Sequence, residues 1–247
     1  MKVLYFTATG NNLYIAKQLG GEYYSIPKLL KENQLEIEAE KIGIVFPVFY
    51  SGVPKVVEEF LNKSNLKSKY IFVIGSYGSF SWGTSRHLLE IAERNNIKIS
   101  YYNEILMVDN YLPVFEMNRQ LKKEPGKKIE ENLNIIRKDI VEERNYIKMN
   151  AAFAKIIRAS QMKQYDNHFD SNFKVNSNCN GCKVCEKVCP VDNIKVKGKP
   201  VFHDNCEHCL ACIHNCPQTA ISLKKEKSLA RFRNQNVTLN EIINANN

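Results

Sequence analysis

The chain reads as an α/β protein built on a parallel sheet, followed by a small cysteine-rich domain, and three observations predict this. Short apolar runs alternate with amphipathic helical patterns from Lys2 to Tyr146, the mark of βαβ units whose strands form a sheet covered on both faces. Three of those runs end in loops rich in small, hydroxyl and aromatic residues, at the strand ends where such sheets bind ligands. All eight cysteines lie between Cys179 and Cys216, in a repeated spacing.

Lys2 to Phe6 is an apolar, β-prone run ending in Thr7-Ala8-Thr9-Gly10-Asn11-Asn12. Leu13, Ile15, Ala16 and Leu19 then begin a helical pattern that Gly20-Gly21 closes. Glu22 to Ile26 supplies a second strand, and Lys28 to Glu40 a charged connection. Lys41 to Phe46 is almost continuously apolar, as expected of a strand buried on both faces, and stops at Pro47. The loop Pro47 to Pro54 leads into a helix with Val56, Val57, Phe60 and Leu61 on one face. Tyr70 to Ile74 is another buried strand, followed by the loop Gly75 to Gly83 and a helix from Thr84 to about Asn95. Glu104 to Val108 reads as a strand. Ile129 to Tyr146 reads as an amphipathic helix, with Ile129, Leu133, Ile136, Ile140 and Ile147 spaced for one face.

The character changes after Met149. Ala151 to Ile157 is helix-prone, and Gln161 to Asn178 is a polar connecting arm. Ile194 to Phe202 is expected to form a hairpin around Gly198, and Ala220 to Leu223 mirrors the segment after the first cysteine set. Thr238-Leu239-Asn240-Glu241 fits a capping box at the start of a short helix, expected to pack back on the body. The predicted organisation is thus an α/β domain over 1–150, a helix and linker over 151–177, a cysteine-rich domain over 178–224 and a tail over 225–247.

A length of 247 residues suits two domains, and 44% hydrophobic with 25% charged residues is the composition of a globular protein. The apolar start is interrupted by Thr7 to Asn12, too soon for a signal-peptide core, and no apolar run reaches the length of a membrane span. A cytoplasmic location is expected, where thiols stay reduced. The net charge is +9, from 35 Lys+Arg against 26 Asp+Glu, with much of the excess between Arg119 and Lys163. That segment is read first as the solvated face of helices, with docking of an acidic partner as the alternative. No nucleic-acid module signature accompanies the charge, so nucleic-acid binding is not expected.

Cys179, Cys182, Cys185 and Cys189-Pro190 form one set, and Cys206, Cys209, Cys212 and Cys216-Pro217 the other. Each reads CxxCxxCxxxCP, and one fixed offset superposes them, so the region is an internal duplication. Zinc sites use CxxC pairs and have no use for the third cysteine or the CP terminus, and disulfides need an oxidising compartment. The spacing resembles that of bacterial ferredoxins, in which three thiolates of a run hold one cluster and the fourth ligates the other. The resemblance implies two 4Fe-4S clusters. The first would take Cys179, Cys182, Cys185 and Cys216, and the second Cys206, Cys209, Cys212 and Cys189. His208 and His214 lie inside the second run, where they either tune the cluster or are plain loop residues.

Thr7 to Asn12 resembles the phosphate loop of the flavodoxin family, (S/T)xTGN(T), with Asn12 in place of the usual hydroxyl residue. Hydroxyls of Thr7 and Thr9 and the N–H groups of a helix N-terminus can hold a phosphate without a lysine. There is no GxxxxGK(S/T) and no GxGxxG in the first turn, which disfavours a nucleoside triphosphate and a Rossmann-bound dinucleotide. The resemblance implies FMN, its phosphate held by Thr7, Thr9, Gly10, Asn11 and Asn12. Its ring would lie between Pro47, Val48, Phe49, Tyr50 and Ser51 on one loop and Gly75, Ser76, Tyr77, Gly78 and Trp82 on another, with Tyr50, Tyr77 and Trp82 as stacking candidates.

As a whole the chain resembles a family of anaerobe proteins in which a flavodoxin-like, doubly wound parallel sheet is fused to a small two-cluster ferredoxin-like domain. That resemblance implies an electron-transfer protein passing electrons between the clusters and FMN, with no acid–base residue to nominate. The alternative is an FMN-dependent reductase of a small molecule, fed through the clusters. Expected partners are redox proteins, a ferredoxin-type donor or an acceptor reductase, and for the reductase a small-molecule acceptor. An open pocket walled by residues 110–165 is the feature that would separate the two.

Overall fold

A computed structural model describes residues 1–150, 154–163, 165–166 and 168–247. Its elements in chain order are β1 Lys2–Tyr5, α1 Asn11–Leu19, β2 Glu22–Ser25, α2 Ile26–Lys31, β3 Glu36–Glu38, β4 Lys41–Pro47, α3 Lys55–Lys63, β5 Asn65–Lys67, β6 Tyr70–Tyr77, α4 Thr84–Arg94, β7 Tyr101–Leu106, α5 Met117–Lys122, α6 Ile129–Val141 and β8 Tyr146–Ile147. They are followed by α7 Ala154–Met162, β9 Phe173–Val175, α8 Val184–Lys187, β10 Ile194–Lys197, β11 Lys199–Phe202, α9 Ala211–His214, β12 Ile221–Leu223 and α10 Leu239–Asn246.

The main sheet runs in the order β2-β1-β4-β6-β7-β8, and every neighbouring pair is parallel. The short β3 and β5 pair with each other outside it. The chain steps from β1 outward to β2 and then returns across β1 to β4. The order therefore reverses between β1 and β4, which opens a crevice beyond their carboxyl ends.

Alternation along the strands supplies both faces. Val3, Tyr5, Val45, Phe72, Ile74, Tyr101 and Ile105 pack under α1, α6 and α10. Leu4, Phe6, Ile42, Ile44, Ile71 and Val73 pack under α2, α3 and α4. The central strands β4 and β6 are buried on both faces, which explains their unbroken apolar sequence.

Three boundaries differ from the sequence expectation. β6 continues through Gly75, Ser76 and Tyr77, because each pairs with β7 although Gly75 and Ser76 are weak strand formers. β7 begins at Tyr101 rather than Glu104 and ends at Leu106, so Met107 and Val108 are already loop. α6 ends at Val141, where Glu143 takes a left-handed φ of 51°, and Ile147 belongs to β8 rather than to the helix face. The expected helix from Ala151 begins partly outside the described residues, within which α7 runs Ala154–Met162.

The cysteine-rich part shows its duplication in the backbone. Left-handed residues Gly181, Lys183 and Asp192 recur as His208, Leu210 and Thr219, at the offset that relates Cys179 to Cys206. The short helix α8 recurs as α9. β10 and β11 form the hairpin around Gly198, whose φ is 78°. β12 pairs with β9, so the expected connecting arm contributes a strand to this part. The capping box at Thr238 and Glu241 is formed, and α10 packs on the α1 side of the sheet.

Candidate cofactor sites

The eight cysteines stand around two small cavities. One is lined by Cys179, Cys182, Cys185 and Cys216. The other is lined by Cys189, Cys206, Cys209 and Cys212. Each cavity thus takes three cysteines from one run and the last cysteine of the other. Among the described residues, no three His, Cys, Asp or Glu side chains lie close enough to hold a single metal ion.

Backbone N–H groups point at the sulfurs. Asn193 N donates to Cys189 Sγ at 3.3 Å, His208 N to Cys206 Sγ at 3.4 Å and Ala220 N to Cys216 Sγ at 3.3 Å. The left-handed turns at residues 208 and 219 aim two of these donors. Burial pushes the Cys185 and Cys206 thiols up to about 12, and neighbouring cysteines of the same cavity add to the rise. Burial raises the Cys209 and Cys212 thiols well above the usual thiol range. Four thiolates therefore require a compensating cationic group, the role that an iron–sulfur cube fills.

The second cavity is docked onto the sheet domain. Glu207, buried between two cysteines of the run, accepts from Val56 N at 3.4 Å in the first turn of α3, whose own cap residue Pro54 offers no side-chain acceptor. His208 stacks between Tyr165 and Phe169, at ring-centre distances of 4.3 and 4.1 Å. Its Nε2 donates to the Asp166 carbonyl at 2.5 Å, and its Nδ1 accepts from Tyr50 Oη at 2.6 Å. His214 donates from Nε2 to the Asn110 carbonyl at 2.8 Å and accepts from Phe232 N at 3.1 Å. Both histidines spend both ring nitrogens on the fold.

A third, larger cavity of about 400 Å³ opens at the carboxyl ends of β1, β4, β6 and β7, within the size range of small-molecule sites. Of the residues expected to hold a ligand there, Thr7, Thr9, Asn11, Asn12, Pro47, Val48, Phe49, Tyr50, Ser51, Ser76, Tyr77 and Gly78 line it. Gly10, Gly75 and Trp82 do not. Gly10 turns its back on the cavity, Gly75 sits inside β6 against Tyr102, and Trp82 stacks outside on Phe80 at 4.2 Å. Phe80 itself lines the cavity and is an aromatic that the sequence reading passed over.

Asn110, Tyr111, Val114, Phe115 and Gln161 form a wall from the 110–165 stretch expected to supply one, whereas Met107, Val108 and Asp109 join it from outside that stretch. Placing β7 three residues late hid Met107 and Val108, which then counted as strand. Asp109 lies directly against Gly78, where a Cβ would meet its carboxyl carbon at 2.3 Å. Asp109 accepts from Ser79 Oγ at 2.7 Å and from Tyr111 N at 3.2 Å, and burial raises its pKa. Lys127 reaches the same corner, donating to the Gly78 carbonyl at 3.2 Å.

The cavity has polar groups left for an occupant. The side-chain oxygens of Asn12 and Gln161 are buried and have no partner, and both residues line it. α1 starts at Asn11 behind Gly10, which caps it without a side chain, so the helix presents its first-turn N–H groups bare of a capping oxygen. These residues fit a phosphate-bearing aromatic ligand: hydroxyls, amides and a helix start at one end, Tyr50, Tyr77, Phe80 and Tyr111 at the other. Phe80 and Val114 are more than half exposed, which leaves the mouth apolar and open.

Cys209 and Leu210 line this cavity as well, and both also line the second cysteine cavity. One cysteine side chain therefore forms a wall common to the two.

Residues 144–235 match the family described as "4Fe-4S dicluster domain". This part of the chain is a ferredoxin-like iron–sulfur domain that contains the cysteine cluster at 179–216, and its chemistry is electron transfer. No curated protein matches the chain. Among solved structures, the Trp repressor binding protein from Bacillus subtilis is 13% identical, over 42% of this chain and 83% of its own, with a TM-score of 0.31. Among the described residues, no helix is long and apolar enough to cross a membrane.

Proposed function

We propose that the chain passes electrons between two 4Fe-4S clusters and an FMN held in the large cavity. The observation that carries this reading is the shared wall at Cys209, which makes the second cluster site and the flavin site immediate neighbours. The crossed cysteine sets lining the two small cavities support two clusters rather than one. Counting only the main-sheet strands, the order is 2-1-3-4-5 with a short sixth strand at the edge, which supports a flavodoxin-like sheet.

When bound, the clusters would supply single electrons at low potential and FMN would exchange electrons singly or in pairs. The chain's own part is positional. Thr7 to Asn12 would hold the phosphate, and Tyr50, Tyr77 and Phe80 would flank the ring. Glu207, His208 and Tyr50 fix the second cysteine run against the sheet domain, so that exchange is intramolecular and needs no encounter step. A redox protein, of ferredoxin type or an acceptor reductase, would exchange electrons at the first site, whose Cys182 is exposed. The open apolar mouth at Phe80 and Val114 favours a second reading, reduction of a small molecule at the flavin.

Anaerobically purified, cluster-loaded protein, freed of any flavin and then titrated with FMN by fluorescence quenching, tests the flavin. Saturable binding at one site per chain is expected. Retention of no flavin and no binding of added FMN would sink the reading. Stopped-flow mixing of reduced protein with candidate acceptors then separates carrier from reductase, since small-molecule turnover supports only the second.

A further inference from the structure

The loop at residues 7–12 is held from behind by three asparagines distant in sequence. Its successive carbonyls each accept one N–H from outside the sheet domain. Asn246 Nδ2 donates to the Thr7 carbonyl at 3.2 Å, Asn215 Nδ2 to the Ala8 carbonyl at 3.0 Å and Asn234 N to the Thr9 carbonyl at 2.8 Å. The Asn234 side chain adds a bond to Asn11 Oδ1 at 3.1 Å. All three asparagines are at least nine-tenths buried.

The side chains are used as donors. Asn215 gives its second amide hydrogen to the Ala211 carbonyl at 2.9 Å, one turn back in its own helix, and Asn246 does the same to Ile242 at 2.9 Å. The oxygens of both amides are buried without a partner. A buried acceptor left unpaired is costly, so what these positions gain lies in the NH2 group bridging helix to loop. A carbonyl drawn backward turns its peptide so that the following N–H points the other way, toward the cavity. Peptides 7–8 and 8–9 are turned this way, while on the third, 9–10, the Gly10 N–H donates to Thr7 Oγ1 at 3.0 Å and closes the loop on itself.

We infer that Asn215, Asn234 and Asn246 are positioning residues for an anion at residues 7–12, holding the loop's carbonyls away from the cavity so that its N–H groups and hydroxyls face the ligand. The inference rests on the proposed FMN, whose phosphate is the anion. The second observation pointing to a ligand is Asn12, 2% exposed in the cavity wall, whose Oδ1 has no partner, so that the fold does not fix this oxygen and the amide can turn its NH2 to the anion. The sheet domain alone thus does not complete its own phosphate loop. Residues from the second cysteine run and from the segment after it do.

The test compares FMN with riboflavin, which carries the same ring without the phosphate. Affinities of both are measured by fluorescence quenching for the cluster-loaded wild type, Asn246→Ala and Asn215→Ala, with iron content and near-UV circular dichroism recorded for each. Each substitution is expected to weaken FMN about tenfold, the size of one buried hydrogen bond, and to leave riboflavin within about twofold. Unchanged FMN affinity in a folded variant overturns the inference, and so does an equal loss for both ligands, which would mark a general packing role. Should one variant fail to load iron, the other decides. Failure of the wild type to bind FMN is a separate outcome that overturns the functional reading and removes this one with it.

Discussion

Replacing the last cysteine of each run separates the two proposed cluster sites and says which one would serve the proposed flavin. Cys189→Ala removes one of four sulfurs from the cavity of Cys206, Cys209 and Cys212, and none from the other. Cys216→Ala removes one from the cavity of Cys179, Cys182 and Cys185. Each variant is expected to fall from about eight to about four irons per chain, because a cube needs all four thiolates. The flavin consequences differ. Cys209 borders the large cavity, so loss of the cluster it serves should slow reduction of bound FMN more than about tenfold, as exchange reverts from intramolecular to longer or external routes. Cys216→Ala keeps the neighbouring cluster, and reduction through it should stay within about threefold of wild type when an external donor is saturating. Iron analysis and stopped-flow absorbance, both anaerobic, read the two quantities. Loss of all iron in both variants would refute independent sites. Unimpaired flavin reduction in Cys189→Ala would refute the role given to the wall at Cys209.

Three further outcomes follow from the geometry. Gly10→Ala should lower both stability and FMN affinity, because φ is 97° there and a Cβ would stand 3.0 Å from that of Val237 and 3.1 Å from that of Asn234; the expected cost is about 1–3 kcal/mol, read by thermal melting. Asp109→Asn should stabilise the flavin-free protein increasingly as pH rises. The buried Asp109 carboxyl titrates above its ordinary 3.8, so its contribution is fully present below that value and is lost as pH rises through the raised pKa. A melting-temperature gap that shrinks as pH rises from the ordinary 3.8 would contradict this sign. Thr238→Ala should cost about 1 kcal/mol through loss of the capping box, and no change in melting temperature would show that α10 is held by packing alone.

Features that announce themselves by local chemistry were the ones legible in the sequence. The cysteine spacing led directly to sets that the fold places around common cavities, and Thr238 with Glu241 forms the cap that its spacing implies. β4 was visible because a strand buried on both faces has no polar alternation to blur. Gly75 and Ser76 looked like loop because strand pairing there is imposed by β7, not by propensity. The part of the pocket wall at Met107 and Val108 was hidden by the same kind of error on β7, since these residues are apolar because they are buried and not because they are strand. The aromatic sandwich around His208 depends on Tyr50, Tyr165 and Phe169 converging from three parts of the chain, and no local pattern encodes that.

The support of the Thr7 to Thr9 carbonyls also sets an order of events during synthesis. A ribosome that has released the whole parallel sheet, through Ile147, has not yet made Asn215, Asn234 or Asn246. The nascent sheet can collapse on its own apolar faces, but its first loop stays without its rear partners until the cysteine-rich part has emerged and docked. Iron delivery would then precede flavin capture, and a chain starved of iron would carry a folded sheet with an unfinished pocket.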